Sequence, residues 1–103
     1  MTEKREFTSF ADFYPFYLEE HGHPLNRRLH FVGTSLVLLL VLTTLVTQQW
    51  ALLWLLPLVG YGFAWVGHFF IEKNRPATFQ HPLYSLMGDF VMYKDMLTRR
   101  IVW

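Results

Sequence analysis

The fold is decided by residues 31–71 of this 103-residue chain, which read FVGTSLVLLLVLTTLVTQQWALLWLLPLVGYGFAWVGHFFI. These 41 consecutive residues include no Asp, Glu, Lys or Arg, and all 17 charged side chains lie in residues 1–30 and 72–103. At about 1.5 Å per helical residue the stretch reaches roughly 60 Å, about twice the thickness of the hydrocarbon core of a bilayer. The pattern predicts two membrane-spanning helices and excludes an ordinary cytosolic globule.

The predicted spans cover about residues 31–47 and 50–71, and the uncharged turn Thr47–Gln49 joins them. A loop this short connects antiparallel neighbours, so the two spans are expected to form a helical hairpin. Pro57 and the glycines of the second span would kink that helix and allow close approach of another one. The sequence therefore predicts a single all-α integral membrane domain over residues 1–103, in which amphipathic interfacial helices flank the hairpin.

The first flanking helix is predicted to begin near Phe10. Its apolar residues follow the i, i+3, i+4, i+7 spacing of one helical face. They are Phe10, Phe13, Tyr14, Tyr17 and Leu18. Thr8 or Ser9 would cap this helix and Gly22 would end it. An amphipathic pattern of this kind is typical of a helix that lies in the membrane interface.

The second flanking helix is predicted to begin at His81-Pro82, because proline suits the first turn of a helix. Its predicted apolar face consists of Leu83, Leu86, Met87, Phe90 and Leu97. The charged residues of the segment are expected outside that face. They are Asp89, Lys94, Asp95, Arg99 and Arg100.

Basic residues predict the orientation of the hairpin. Arg27, Arg28, Lys73 and Arg75 flank its open end, and the turn has none. Because basic residues favour the cytoplasmic side, both termini are expected in the cytoplasm. The net charge of +1 gives no reason to expect a nucleic acid partner, and the absence of cysteine excludes disulfides, iron–sulfur clusters and thiolate zinc sites.

All five histidines are predicted to lie at the open end of the hairpin. They are His21, His23, His30, His68 and His81. Taken together they predict a metal or proton-handling site, although any single histidine could equally be a helix cap or an interfacial anchor. His23 and His81 each precede a proline, and the expectation for these two is a cap.

His68 lies inside the uncharged stretch, where an ionisable side chain is by default a functional candidate. Its predicted partner is His30, on the facing helix segment. Neutral imidazoles suit iron, zinc, copper and nickel, and a histidine-rich site with a carboxylate and open positions favours non-haem iron(II). Glu72, one turn beyond His68, could ligate the metal or hold the second nitrogen of a ligand.

Three motifs carry a family resemblance. They are Tyr17–His21 (YLEEH), Asn26–Thr34 (NRRLHFVGT) and Gly67–Ala77 (GHFFIEKNRPA). Together they resemble the DUF962 or Mpo1-like family, over most of the chain from about Phe10 to Leu97.

The resemblance implies an iron(II)-dependent membrane enzyme that oxidises 2-hydroxy fatty acids at the α carbon and releases an acid one carbon shorter. It implies His21, His30 and His68 as metal ligands, with Asn26 and Glu72 as further, catalytic motif positions. The chain is similar to the short prokaryotic members, which implies a bacterial inner membrane. The glycines of the second span would permit a homodimer.

Two other classes of function stay open. A small structural or assembly membrane protein would use the histidines as caps or for a structural metal. A heavy-metal or proton carrier comes last, because two spans without an acidic residue leave no polar path through a monomer. Zinc is the alternative to iron as the bound metal. Stoichiometric iron in protein purified without a His tag would distinguish the enzyme from the structural protein.

Overall fold

The computed structural model describes residues 6–103, which are helical with no β-strand. Four α-helices follow one another: α1 (Phe10–Glu20), α2 (Pro24–Thr47), α3 (Leu56–Val66) and α4 (Pro82–Leu97). Helix α3 continues a 3₁₀ segment, Trp50–Leu55, and leads into a π-helical turn, Gly67–Glu72. A short 3₁₀ turn, Ala77–Phe79, precedes α4. The predicted all-α class is confirmed.

Two of these helical segments, Pro24–Thr47 and Trp50–Glu72, are long and apolar enough to cross a membrane. Large apolar side chains on both are exposed, as Leu39 (58%) and Trp54 (86%) illustrate. Contiguous exposed apolar surface of this extent marks contact with a membrane or a partner. The described helices thus have the length and surface that the uncharged stretch predicted.

The helix boundaries follow local capping chemistry. Ser9 Oγ accepts a hydrogen bond from the Asp12 amide at 3.2 Å and begins α1. His23 Nδ1 accepts one from the Leu25 amide at 3.1 Å, ahead of Pro24 in the first turn of α2. Gln48, with a left-handed φ of 56°, ends α2. The predicted caps at Ser9 and His23 are confirmed.

Helices α2 and α3 lie side by side and run in opposite directions, and glycine makes their approach possible. A Cβ atom built on Gly67 would lie 1.7 Å from Asn26 Oδ1, and one on Gly33 would lie 3.2 Å from Phe63 Cβ. Further along, a Cβ at Gly60 would meet Val37 at 3.7 Å. The second span has three glycines that were predicted to allow close approach, Gly60, Gly62 and Gly67, and two of them, Gly60 and Gly67, face α2 of the same chain.

Helix α1 packs against α4, and this contact forms the hydrophobic core. Phe13 and Tyr17 are completely buried there with Met92 and Met96. Gly88 makes room for the Tyr17 ring, since a Cβ at this position would lie 2.8 Å from it. The aromatic stripe of α1 thus contacts protein at its centre, and the position of α1 in a membrane interface stays a prediction.

The apolar face predicted for α4 is turned away from the rest of the protein. The residues of its predicted apolar face are exposed, namely Leu83, Leu86, Met87, Phe90 and Leu97. The opposite face is turned inward and carries Ser85, Gly88, Met92, Asp95 and Met96. Helical periodicity identifies two faces but cannot say which one packs against α1.

Asp89 and Asp95, expected outside the apolar face of α4, are turned towards α1. Tyr17 Oη donates to Asp89 Oδ1 at 2.5 Å, and Tyr14 Oη donates to Asp95 Oδ2 at 2.7 Å. A buried carboxylate needs such donors, because an unpaired one would be strongly disfavoured. The two tyrosine hydroxyls of α1 therefore explain why α4 can turn its acidic residues inward.

Candidate metal centre

Three separate elements bring three histidines together. His21 follows the end of α1, His30 lies in the second turn of α2, and His68 lies in the π-helical turn. Their exposed fractions are 1%, 5% and 2%. His21 Nε2 is 3.0 Å from His30 Nε2 and 3.0 Å from His68 Nε2. The structure therefore assembles the three histidines that the family resemblance implied as ligands, and His21 lies between the other two.

Backbone carbonyls fix the protonation of two of these rings. His21 Nδ1–H donates to the Tyr17 carbonyl oxygen at 2.7 Å, and His30 Nδ1–H donates to the Asn26 carbonyl oxygen at 2.9 Å. A carbonyl oxygen only accepts, so Nδ1 carries the proton in both rings. Each neutral ring then has its lone pair on Nε2, facing the cluster.

Asn74 fixes the third ring. Its side-chain nitrogen donates to the Glu20 carbonyl oxygen at 3.0 Å, so the side-chain oxygen faces His68 and accepts from His68 Nδ1–H at 2.7 Å. The sequence named Glu72 as the residue that could hold the second nitrogen of a ligand, and Asn74 is the residue in contact with His68. Asn74 was quoted within a family motif but was not singled out, because it lies in the polar segment that ends the span.

The three Nε2 lone pairs face one cluster in which the ligand nitrogens all lie within 4.8 Å of one another, and this arrangement suits a cation. Burial, followed by the neighbouring His30 and His68 rings, lowers the pKa of His21 well below its usual value, so a proton is a poor occupant. Two nitrogens each about 2.1 Å from one metal ion, in directions at right angles, are about 3 Å apart. The cluster of three buried histidines thus fits a metal ion.

Asn26 and Glu72 lie behind the cluster and contact each other. Asn26 Nδ2 donates to Glu72 Oε2 at 3.3 Å, and the His23 amide donates to the same oxygen at 2.5 Å. Glu72 thus ties the start of α2 to the end of the second long helix. Asn26 supports His30 through its backbone carbonyl. The two predicted catalytic residues therefore connect the elements that carry His30 and His68.

The role of His81 differs from the sequence prediction, and His68 contacts His21 as well as its predicted partner His30. His68 Nε2 is within hydrogen-bond distance of His21, and the His68 ring makes an edge contact with the His30 ring at a centroid distance of 5.0 Å. The contact with His21 arises because the end of α1 inserts His21 between the two long helices. His81 precedes α4 without a side-chain cap, and its ring packs against Phe7 and Phe13.

A small cavity of about 10 Å³ adjoins the histidines, with space for about one water molecule. Tyr61, Trp65, Ser85 and Asp89 are among its lining residues. The Ser85 hydroxyl is buried and has no hydrogen-bond partner within residues 6–103. Burial raises the pKa of Asp89 to about 6, although the hydrogen bond from Tyr17 acts in the opposite direction. The sequence analysis did not identify Asp89 as a site residue. The signal that could have identified it is its position as the single acidic residue in the mostly apolar segment 83–93.

The comparison with protein families agrees with this geometry. The family model described as 2-hydroxy-palmitic acid dioxygenase Mpo1-like matches residues 7–101, which is nearly the whole chain. No curated protein and no solved structure matches. The resemblance inferred from the three motifs is confirmed.

Proposed function

This chain belongs to the Mpo1-like family, and from that premise we propose that it is an iron(II)-dependent dioxygenase that shortens 2-hydroxy fatty acids by one carbon. The observation that carries the proposal is the buried cluster of His21, His30 and His68, whose ligand nitrogens all lie within 4.8 Å of one another. Helix caps would not converge in this way. For this reason the structural alternative is less favoured.

The overall reaction takes a 2-hydroxy acid and dioxygen to an acid one carbon shorter, carbon dioxide and water. The bond between the α carbon and the carboxyl carbon breaks, the α carbon becomes the new carboxyl carbon, and dioxygen accepts the four electrons released. An iron(II) ion held by the three histidines would supply the redox chemistry with dioxygen, which zinc cannot supply.

The protein's own residues would orient the substrate and exclude water. Asp89 lines the cavity beside the histidines and has a second carboxylate oxygen, Oδ2, besides the one that accepts from Tyr17. This oxygen is suited to accept a hydrogen bond from the 2-hydroxyl group of the substrate. Tyr17 holds the other carboxylate oxygen, and its ring stacks on His21 at a centroid distance of 4.0 Å.

The reaction itself tests the proposal. Protein purified without a His tag, loaded with iron(II) and given oxygen and 2-hydroxypalmitate, should release the acid with one carbon less, as measured by mass spectrometry. Palmitate should not react, because it lacks the 2-hydroxyl oxygen that would chelate the metal together with a carboxylate oxygen. Zinc-loaded protein is the matched control and should be inactive. Folded, iron-loaded protein that leaves every 2-hydroxy acid intact would overturn the enzyme and support a structural membrane protein.

We further propose that the two long helices cross a bacterial inner membrane with both termini in the cytoplasm. The support is the position of Arg27, Arg28, Lys73 and Arg75 at the same end as the histidines. Alkaline phosphatase fused to the C-terminus should therefore be inactive, and fused after Gln48 it should be active. The reverse result would invert the orientation.

A further inference from the structure

A second cavity, larger than the one beside the histidines, lies between α2, α3 and α4. Its volume is about 280 Å³, close to the lower end of the range for small-molecule sites. Apolar side chains line most of it, among them Val37, Leu56, Leu86 and Phe90. Such a lining suits an alkyl chain.

This apolar cavity is adjacent to the histidine cavity. Tyr61 and Asp89 line both of them, so the two cavities are neighbours at these side chains. Asp89 is the carboxylate that Tyr17 holds. A ligand that extends from one cavity into the other would therefore have its polar end near the histidines and its apolar end between the helices.

The apolar cavity extends away from the histidines along both long helices. On α2 it is lined by Thr34 and Val37, four and seven residues after His30. On the other side its lining reaches Leu56, twelve residues before His68, which is about 18 Å at 1.5 Å per residue. The lining residues thus lie further from the histidines along both helices, in the direction that a fatty acid tail would take from the metal centre.

We propose that this cavity binds the alkyl chain of the 2-hydroxy acid and that Gly60 keeps it open for long chains. The inference rests on the proposed function and adds to it the part of the protein that selects chain length. The shared residues Tyr61 and Asp89 favour the substrate's own tail over a chain from the surrounding bilayer.

Gly60 and Gly62 provide a matched pair of variants on one helix. A Cβ atom at Gly60 would lie 3.7 Å from Val37 Cγ2, an ordinary contact, so a larger side chain starts without a clash beside a cavity wall. Gly60 lies eight residues before His68, or about 12 Å along the helix. Gly62 has nothing within 4 Å of such a Cβ atom and does not line the cavity.

The experiment measures binding of 2-hydroxypalmitate and 2-hydroxyoctanoate to iron-loaded protein in lipid nanodiscs without oxygen, so that no turnover occurs. Gly60→Leu should weaken 2-hydroxypalmitate binding about tenfold or more and change 2-hydroxyoctanoate binding less than about twofold, since buried methylene contacts are lost only for the long chain. Gly62→Leu should leave both within about twofold. Gly60→Ala is the milder variant and should give an intermediate effect.

An equal effect of Gly60→Leu and Gly62→Leu on both acids would overturn the chain-length site. Binding of palmitate as tight as that of 2-hydroxypalmitate, with the same dependence on Gly60, would show a bilayer lipid site in its place. Because these measurements exclude oxygen, an inactive protein that still shows the Gly60 dependence would contradict the proposed reaction but not the alkyl site. If Gly60→Leu instead turns over 2-hydroxy acids in air with the chain-length preference of the wild type, the alkyl site would be contradicted and the proposed reaction would stand.

Discussion

Replacement of His68 by alanine should abolish metal retention, and the same change at His21 or His30 should do so too. Each variant removes one of three converging nitrogen ligands from a buried site. Loss of a direct ligand should exceed the ten- to about 100-fold loss of affinity that is usual for an outer partner of a ligand. The measurement is iron per protein chain by elemental analysis, after purification without a His tag.

His23→Ala is the matched control, because His23 is exposed and its ring caps α2 outside the cluster. Loss of this cap should cost about 1 kcal/mol of stability and leave the metal content nearly unchanged. Full metal content in the His68→Ala protein would refute the ligand set. Equal losses in His23→Ala and His68→Ala would point to unfolding as the cause.

Asn74→Ala should weaken metal binding without removing a ligand. Asn74 is a positioning residue, because it orients His68 through Nδ1 and does not face the cluster itself. Iron affinity should fall about ten- to 100-fold, and Asn74→Asp should restore part of it, since a carboxylate also accepts from His68 Nδ1–H but cannot donate to the Glu20 carbonyl oxygen. A loss that Asn74→Asp does not rescue would assign Asn74 to folding alone.

Gly67→Ala should strongly destabilise the protein and disturb the metal site. The added Cβ atom would lie 1.7 Å from Asn26 Oδ1 and 3.4 Å from the Asn26 Cα atom, where α2 and the π-helical turn cross. Overpacking of this kind typically costs about 1–3 kcal/mol. The clash would displace Asn26, whose backbone carbonyl accepts from His30, and Gly67, which directly precedes His68. Iron retention should therefore fall along with the Tm.

Gly62→Ala is the control for this change. Its Cβ atom would meet nothing within 4 Å, and alanine is the better helix former by about 1 kcal/mol. Thermal unfolding in detergent, followed by circular dichroism, should therefore show a Tm for Gly62→Ala equal to or above that of the wild type. A Gly67→Ala protein as stable as Gly62→Ala would mean that α2 and the π-helical turn are further apart than described.

Local signals in the sequence determined the helices and their ends. The uncharged residues 31–71 predicted two long apolar helices, and Ser9 and His23 marked helix starts, because capping involves only residues within one turn. The motifs around His21, His30 and His68 identified the family, and the match over residues 7–101 agrees. These conclusions needed no knowledge of how the helices pack.

The tertiary structure decided which faces meet and which atoms hold the ligands. Periodicity showed an apolar face on α4, but only packing against α1 showed that this face is exposed and that Asp89 and Asp95 turn inward to the tyrosines. Spacing likewise suggested Glu72 behind His68, whereas the left-handed residue Lys73 (φ 58°) follows the π-helical turn and Asn74 contacts the ring instead. Contacts between distant segments depend on the three-dimensional path of the chain, and spacing along one helix does not contain that path.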